Sequence, residues 1–326
     1  MCFKISQQPG IAPVEGEHSM PAQCNLIIDS CCDLPLDIVQ QPGIELIDFN
    51  YIIEGETYKD DFYQSCSPKE FYDRIRQGAT PSTSQVAPAE TEAAFRKAIE
   101  SGVPTVYLCF SSGISSNYST AYAIWSQLKA ENPEAPIFIV DLLVGSTPEG
   151  LLVLEALRQR ELGLTAEEMV AWAEEARYFV HTLFMVDDLD ALHRGGRIPA
   201  SVAFAGSKLD LKPLLNFDTN GKLALAGAAH GRKKGLKQLA ACFEKDHAED
   251  SRVVLVGNAD CGKDADRLVD LLTKQSEALT VVKHDIGATI GSHVGAGMVS
   301  ISFWGGDRRE ELSVADRIAR KVKRGN

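Results

Sequence analysis

Long apolar runs, a basic charge balance and C-x-x-C cysteine pairs are all missing from this sequence of 326 residues. No run approaches the roughly 20 apolar residues that a membrane-spanning helix needs. Acidic residues outnumber basic ones, 45 to 33, and the formal net charge of -12 argues against a surface built to bind nucleic acid. The 8 cysteines are scattered and form no C-x-x-C pair, which argues against structural zinc and is typical of a reducing compartment. We therefore expect a cytoplasmic protein with no integral membrane segment, no metal and no nucleic-acid partner.

Residues 1–24 lack the basic start and the continuous apolar core of a signal peptide. We expect them to form a poorly ordered N-terminal extension. The chain that remains is long for one hydrophobic core, so two domains are predicted. A change of pattern along the chain places these domains at residues 25–177 and 178–326.

Strand-like and helix-like segments alternate in the first of these regions. Apolar runs predict four strands, at residues 25–29, 44–53, 103–110 and 137–141. Helices are expected between them, and two begin with capping boxes at Ser67 and Thr165. Alternation of this kind predicts a mainly parallel sheet flanked by helices, with ligands bound at the carboxyl ends of its strands.

The second region has an antiparallel signal. Asn220-Gly221 separates two strand-like runs at residues 211–217 and 222–226, which is the strongest short indication of a hairpin. A strand over residues 179–186 precedes it, and a charged amphipathic helix is expected after Asp307. The second region is therefore predicted to be α+β.

One histidine, His293, stands among four glycines in residues 286–297, between two strand-like runs. Glycines let a backbone approach a ligand closely and direct successive N–H groups at it, so a loop of this composition is able to hold an anion. The alternative is a glycine-rich connection between strands in which His293 only caps a backbone group.

Motifs for nucleotide chemistry are absent. The chain has no G-x-x-x-x-G-K-[ST] phosphate loop, and the glycines after His293 lack the third glycine of a dinucleotide fingerprint. The segment at residues 113–117 has the strand-to-helix setting of a hydrolase nucleophile elbow, but Asn117 replaces its last glycine. A serine hydrolase or acyltransferase that uses Ser115 and His293 is the alternative that this segment leaves open.

The remaining polar candidates each have a structural interpretation. Ser115 or Ser116 is explained simply as a helix N-cap, and Thr83 and Ser84 as turn residues. Arg197 is explained by a surface ion pair with Asp187 or Asp188. A basic stretch at residues 232–237 is either a docking surface for an acidic partner or, more simply, a solvated helix face.

Taken together, the polar segments resemble the signature segments of the DegV family of bacterial fatty-acid-binding proteins. The resemblance covers the chain from Asn25 to the C-terminus. Six separated segments carry it: Asp29-Ser30, Thr83-Ser84-Gln85, Ser111-Ser112-x-Ile114-Ser115, Leu192-His193-Arg194-Gly195-Gly196-Arg197-Ile198, Lys212-Pro213 and Ile290-Gly291-Ser292-His293-Val294-Gly295.

The resemblance implies a two-domain α/β protein that holds one long-chain fatty acid, such as palmitate, stearate or oleate, in a tunnel between the domains. It implies no cofactor and no catalysis by the carrier, which in related systems presents its ligand to a separate ATP-dependent fatty acid kinase. By motif, six residues inherit the role of facing the fatty acid carboxylate: Thr83, Ser84, Ser112, Ser115, Arg197 and His293. A regulatory protein that senses a lipid with the same fold is a third reading, because fold does not determine function.

Three positions depart from the family pattern next to the implied head-group site. Val86 follows Gln85 where the family usually has proline, Ser116-Asn117 stands where Gly-Thr is usual, and Ala296 replaces the proline of Gly-Pro-Gly. A tail of ~16 carbons buries ~14 methylenes at ~0.8 kcal/mol each, so affinity is expected to come from the tail. Hydroxyls and an arginine would offset the cost of burying the carboxylate.

Overall fold

The computed structural model describes residues 21–199, 210–274 and 278–310, and the elements below belong to these residues. The strands are β1 (Asn25–Asp29), β2 (Ile44–Ile47), β3 (Asn50–Ile53), β4 (Glu56–Lys59), β5 (Ser82–Ser84), β6 (Thr105–Cys109), β7 (Ile137–Asp141), β8 (Val180–Met185), β9 (Leu211–Phe217), β10 (Leu223–His230), β11 (Val253–Asn258), β12 (Thr280–Asp285) and β13 (Val299–Trp304). The helices are α1 (Leu36–Val39), α2 (Pro68–Arg76), α3 (Pro88–Ser101), α4 (Asn117–Glu131), α5 (Thr147–Glu161), α6 (Ala166–Ala176), α7 (Asp190–Arg194), α8 (Arg232–Asp246), α9 (Gly262–Thr273) and α10 (Ala288–Val294).

The first sheet is parallel and has the strand order β2-β1-β6-β7. All of β6 and most of β1 are buried, as expected for strands covered by helices on both faces. Local signals fix where several helices begin: Ser67 Oγ accepts a hydrogen bond from the Glu70 N–H, and Thr165 and Glu168 form a complete capping box. The predicted alternation of strands and helices around a parallel sheet is therefore confirmed.

A six-stranded mixed sheet has the order β10-β9-β8-β13-β11-β12. The predicted hairpin is present, since β9 and β10 pair antiparallel and the Asp218 N–H donates to the Lys222 carbonyl at 2.7 Å across the turn. Gly221 has a φ of 76°, which is the left-handed conformation that such a turn requires. This second sheet, with the parallel one, confirms the α/β fold.

Two expectations for the first region were wrong. The single strand predicted over residues 44–53 is divided between β2, in the parallel sheet, and β3, in a small antiparallel sheet of order β4-β3-β5. The chain changes sheets at Asp48-Phe49, where the Phe49 N–H donates to Ser30 Oγ at 3.0 Å. Thr83 and Ser84 lie on strand β5 of this small sheet rather than in a turn. All four residues of β4 are exposed, so no alternation of apolar and polar residues predicted this strand.

The glycine-rich connection around His293 was also predicted incorrectly as a loop. Residues 288–294 form helix α10, which starts after Gly287 and ends at Gly295, where φ is 72°. A glycine inside a helix, here Gly291, usually counts against it, but the carboxyl groups of distant residues bind the first N–H groups of α10, as described below.

Helix α5 lies at the centre of the molecule, and its first seven residues are all buried. It packs against the strands β8, β11 and β13 of the mixed sheet and against helix α6. One hydrophobic core cluster joins residues from both ends of the chain, for example Phe110 with Phe184 and Ile290. The domain boundary predicted at residue 178 stays a prediction. It coincides with the point where the chain passes from the parallel sheet and the small antiparallel sheet to the mixed sheet.

Some expectations fall on residues outside the described part. The extension predicted at residues 1–24 is described only from residue 21, where Cys24 is buried and Gln23 Nε2 donates to the Gly163 carbonyl at 2.8 Å. The helix predicted after Asp307 lies mostly beyond residue 310, outside the described residues.

Candidate functional site

A cavity of about 320 Å³ lies beyond the carboxyl ends of β6 and β7, where it is also lined by β5, by α10 and by the mixed sheet. This volume falls in the range of small-molecule sites. Much of its wall is apolar, and the apolar lining consists of Phe49, Phe110, Ile114, Phe184, Leu192, Phe217, Leu223, Ile290, Val294 and Met298. Five of the six predicted carboxylate-facing residues also line it: Thr83, Ser84, Ser115, Arg197 and His293. The cavity thus combines long apolar walls with a small set of polar groups.

Ser112, the sixth predicted residue, lies apart from the cavity lining. It is exposed to solvent, and its backbone N–H donates to Asp141 Oδ1 at 3.1 Å. The turn after β6 directs Ile114 and Ser115 inward and leaves Ser112 outside, which a motif alone does not reveal.

His293 and Thr83 are within hydrogen-bond distance of each other in the cavity wall. The Thr83 Oγ1 and His293 Nε2 atoms are 2.8 Å apart and join strand β5 to helix α10. Burial, and next the nearby charge of Arg197, lower the pKa of His293 to about 4. The imidazole is therefore neutral at pH 7 in the free protein, and its Nδ1 is buried without a hydrogen-bond partner.

Arg197 is half-buried at the same end of the cavity. Its Nε donates to the Ile114 carbonyl at 2.9 Å and its Nη1 to the Gly195 carbonyl at 2.5 Å. Burial lowers the pKa of this guanidinium, but an arginine stays protonated in proteins. In the described part of the chain no carboxylate pairs with Arg197, and Nη2 makes no hydrogen bond there.

The surface ion pair proposed for Arg197 was wrong. Asp187 pairs instead with Lys212, at 2.9 Å, and with Arg232, at 3.0 Å. Asp188 Oδ1 accepts the backbone N–H of Asp190 at the start of α7. Arg232, from the predicted basic stretch, is thus engaged within the protein.

The serines near helix α4 hold the local backbone together. Ser115 Oγ accepts the Asn117 N–H at 3.1 Å, and Ser116 Oγ donates to Gln85 Oε1 at 2.8 Å. Gln85 Oε1 also accepts from Thr120 Oγ1 at 3.1 Å, so this side chain ties the β5 segment to α4. Gln85 belongs to the Thr83-Ser84-Gln85 segment, but the sequence indicated no role for its side chain.

The N–H groups at the start of α10 are already bound by the carboxyl groups of two aspartates of the protein. The Gly287 N–H donates to Asp33 Oδ1 at 2.7 Å, and the Ala288 and Thr289 N–H groups donate to the two oxygens of Asp60, at 3.2 and 2.8 Å. Carboxylates favour the N-terminus of a helix because unpaired N–H groups point out of it. The expectation that these glycines close over a ligand anion is therefore corrected.

Gly195 packs directly on the imidazole of His293. A Cβ atom added at Gly195 would lie 2.2 Å from His293 Nδ1. The turn after α7 therefore needs glycine to leave room for the imidazole. Only the three-dimensional structure connects the two segments.

The hydrolase alternative is not supported by this geometry. An activated serine needs a hydrogen bond to its base, and the base needs a third group to orient it. Here Ser115 Oγ contacts the Asn117 N–H, whereas His293 contacts Thr83 and has no partner at Nδ1.

Within residues 21–199, 210–274 and 278–310, no group of three or more His, Cys, Asp and Glu side chains is arranged to hold a metal ion. None of the helices described there is long and apolar enough to cross a bilayer.

Comparisons with known proteins agree along most of the chain. Residues 23–305 match the family model described as "Uncharacterised protein, DegV family". A DegV domain-containing protein of Clostridium perfringens is 34% identical over 281 residues, which cover 86% of this chain and 97% of that protein.

Solved structures are similar as well. One is the structure of a DegV family protein from Thermus thermophilus, which is described as fatty acid binding. It has a TM-score of 0.74 and is 27% identical, and the match covers 87% of this chain and 100% of that one. DegV of Bacillus subtilis, described as a fatty acid binding protein, has a TM-score of 0.75 at 26% identity, with coverage of 87% and 100%. From the family match and the shared fold, we conclude that the chain belongs to the DegV family.

Proposed function

We propose that this protein binds one long-chain fatty acid, such as palmitate, stearate or oleate, with its tail in the largely apolar cavity. The carboxylate is held by Arg197 and His293 together with the hydroxyls of Thr83, Ser84 and Ser115. The observation that carries the proposal is the half-buried guanidinium of Arg197, which lines an otherwise largely apolar cavity and has no carboxylate partner in the described residues.

The physical chemistry suits an amphipathic ligand. Each buried methylene contributes about 0.8 kcal/mol, so the aromatic and aliphatic walls supply most of the affinity. A carboxylate loses its hydration on entering, and the planar fork of an arginine is suited to replace it with two parallel hydrogen bonds. The proteins from Thermus thermophilus and Bacillus subtilis are described as fatty acid binding, which supports the same ligand class for this chain.

We further propose that the protein is a cytoplasmic carrier without catalytic activity, which presents its fatty acid to a separate ATP-dependent kinase. The seven cysteines of the described residues are all free thiols, which fits a reducing compartment. His293 would then stabilise charge on the acyl phosphate as it forms. His293→Ala separates the two roles: phosphorylation falls more than lipid binding if the histidine acts in transfer, and an equal loss of both contradicts this.

Native mass spectrometry of the purified protein tests the ligand and its stoichiometry together. We expect a mass shift of one acyl chain per protein, identified as a fatty acid after denaturation. The absence of any bound acyl chain, even after incubation with palmitate, stearate or oleate, would overturn the proposal.

Arg197→Gln tests the position of the head group. Loss of a charge-assisted hydrogen bond costs about 1.5–3 kcal/mol, or roughly ten- to a hundredfold in affinity for the free acid. The methyl ester of the same acid is the control, because it has no charge for Arg197 to meet. If ester and acid weaken equally, the carboxylate does not lie at Arg197.

A further inference from the structure

A second polar group lines the cavity, separate from the proposed carboxylate site. It consists of three buried hydroxyls on two strands and a helix: Thr147 at the start of α5, Thr182 on β8 and Ser300 on β13. In the described residues these hydroxyls share no hydrogen-bond partner with Thr83, Ser115, Arg197 or His293. They stand in a wall that otherwise includes the rings of Phe110, Phe184 and Phe217.

The hydroxyls are linked in a chain that also includes Ser302, which is buried outside the cavity lining. Thr182 Oγ1 donates to the Ile301 carbonyl at 2.9 Å, and Ser302 Oγ donates to Thr182 Oγ1 at 3.1 Å. Thr147 Oγ1 lies 2.8 Å from Ser302 Oγ and 3.0 Å from Ser300 Oγ.

Counting donors fixes the direction of every bond in this chain. A hydroxyl has one proton to donate and two lone pairs that accept. The Thr182 proton goes to a carbonyl, which only accepts, so Ser302 must donate to Thr182. Thr147 must then donate to Ser302, and Ser300 to Thr147. All four hydroxyl protons are used within this chain of hydrogen bonds. The hydroxyls that line the cavity can therefore only accept hydrogen bonds from a ligand, and Ser300 Oγ has two lone pairs for this.

We propose that this wall is a specificity subsite for a hydroxylated acyl chain, whose hydroxyl donates to Ser300 Oγ. The proposal rests on the proposed fatty acid function and names a substrate class within it. An unsubstituted alkyl chain leaves the acceptors of this wall without a donor, which costs free energy in a buried setting. A keto group at the same carbon should bind less tightly still, because its oxygen is also an acceptor and has no proton to donate to these hydroxyl oxygens.

Ligand pairs that differ only at this group provide the test. Competition binding would compare stearic acid with hydroxystearic acids carrying the hydroxyl at successive carbons from the middle of the chain outward, and with the matching ketostearic acids. We expect one hydroxy isomer to bind more tightly than its keto counterpart by about tenfold, the range of one net hydrogen bond. No isomer binding more tightly than its keto partner would overturn the subsite.

Two serine variants on the same strand locate the effect. Ser300→Ala removes the oxygen that faces the cavity, and we expect it to reduce the hydroxy-to-keto ratio to near one. Ser302→Ala keeps the Ser300 oxygen but removes the acceptor of the Thr147 proton, so Thr147 can donate to Ser300 and the Ser300 proton becomes free. We expect this variant to lower the hydroxy-to-keto ratio by improving keto binding, whereas Ser300→Ala lowers it by weakening hydroxy binding. A ratio unchanged by Ser300→Ala contradicts the assignment.

The outcome also separates this inference from the proposed function. If stearate binds but no hydroxy isomer gains, the subsite is wrong and the fatty acid site stands. If none of these chains binds, both fail. Because the comparison of hydroxy and keto ligands uses the unaltered protein, it holds even where a serine variant does not fold.

Discussion

Two basic side chains at one end of the cavity respond differently to burial. Arg197 keeps its proton because the pKa of arginine is so high, whereas His293 loses its proton because burial and the neighbouring guanidinium both disfavour a second charge. The free site therefore carries one positive charge and a neutral imidazole. A carboxylate that enters would compensate the first and favour protonation of the second.

We predict that a fatty acid raises the pKa of His293 above its value of about 4 in the free protein. The reason is that an opposite charge nearby stabilises the imidazolium. The imidazole signals can be followed by NMR as pH is lowered, with and without ligand. The methyl ester should leave the pKa of His293 unchanged. His284 is an internal reference, because burial lowers its pKa to about 4 as well but it does not line the cavity. An equal shift with acid and ester would contradict a carboxylate beside His293.

At the scale of elements, the site depends on the placement of short helix α10. Asp33 and Asp60 fix its N-terminal end, and the hydroxyls of Tyr63 and Tyr72 donate to the Ile286 carbonyl just before it, at 2.6 and 2.7 Å. At its other end, His293 faces β5 and the turn after α7. A helix this short is marginal alone, so tertiary contacts set the position of the imidazole.

Gly195→Ala should weaken fatty acid binding without unfolding the protein. Gly195 has a φ of -70°, which alanine adopts readily, so the cost comes from the contact of the new methyl group with His293. We expect the imidazole to be displaced and affinity to fall by about tenfold, measured by calorimetry. Gly227→Ala on β10 is the control, because an added Cβ there meets nothing within 4 Å. Equal affinities for the two variants would show that His293 does not contact the ligand.

At the scale of the whole molecule, buried carboxyls concentrate where the two halves of the chain meet. Asp29, Asp33, Asp60 and Glu149 are all buried. Burial raises the pKa of Asp29 and of Asp60 to about 6, and it raises the pKa of Asp33 and of Glu149 well above their usual values. For Glu149, the nearby carboxyl of Asp29 adds to the effect of burial.

These shifts predict that the protein is more stable at pH 5 than at pH 8. The unfolded chain releases the aspartate protons near pH 4, whereas the folded chain holds those of Asp29 and Asp60 to about pH 6. The unfolded state thus binds fewer protons in this window, and the free energy of unfolding falls as pH rises through it.

His284 and His293 oppose this trend, because their lowered pKa values make stability rise with pH between about 4 and 6.5. The four carboxyls outnumber them. Urea denaturation at the two pH values measures the difference, and Asp60→Asn should make the dependence on pH shallower. Greater stability at pH 8 would show that these carboxyls are ionised in the folded protein at little cost.

The sequence by itself determined the local structure and the family. Apolar alternation indicated the parallel sheet, Asn220-Gly221 indicated the hairpin, and Thr165 with Glu168 indicated the start of α6, because each signal acts over a few neighbouring residues. The separated motifs also predicted Thr83, Ser84, Ser115, Arg197 and His293 as one group, and all five line one cavity.

Only the tertiary structure decided what depends on distant contacts. It gave the glycine-rich segment a helix, because Asp33 and Asp60 satisfy N–H groups more than 220 residues away in the chain. It left Ser112 exposed outside the cavity lining, placed Gly195 against His293 and brought Thr147, Thr182 and Ser300 to one wall of the cavity. None of these pairings leaves a periodic or spacing signal, because each joins residues whose separation in sequence is set by the whole fold.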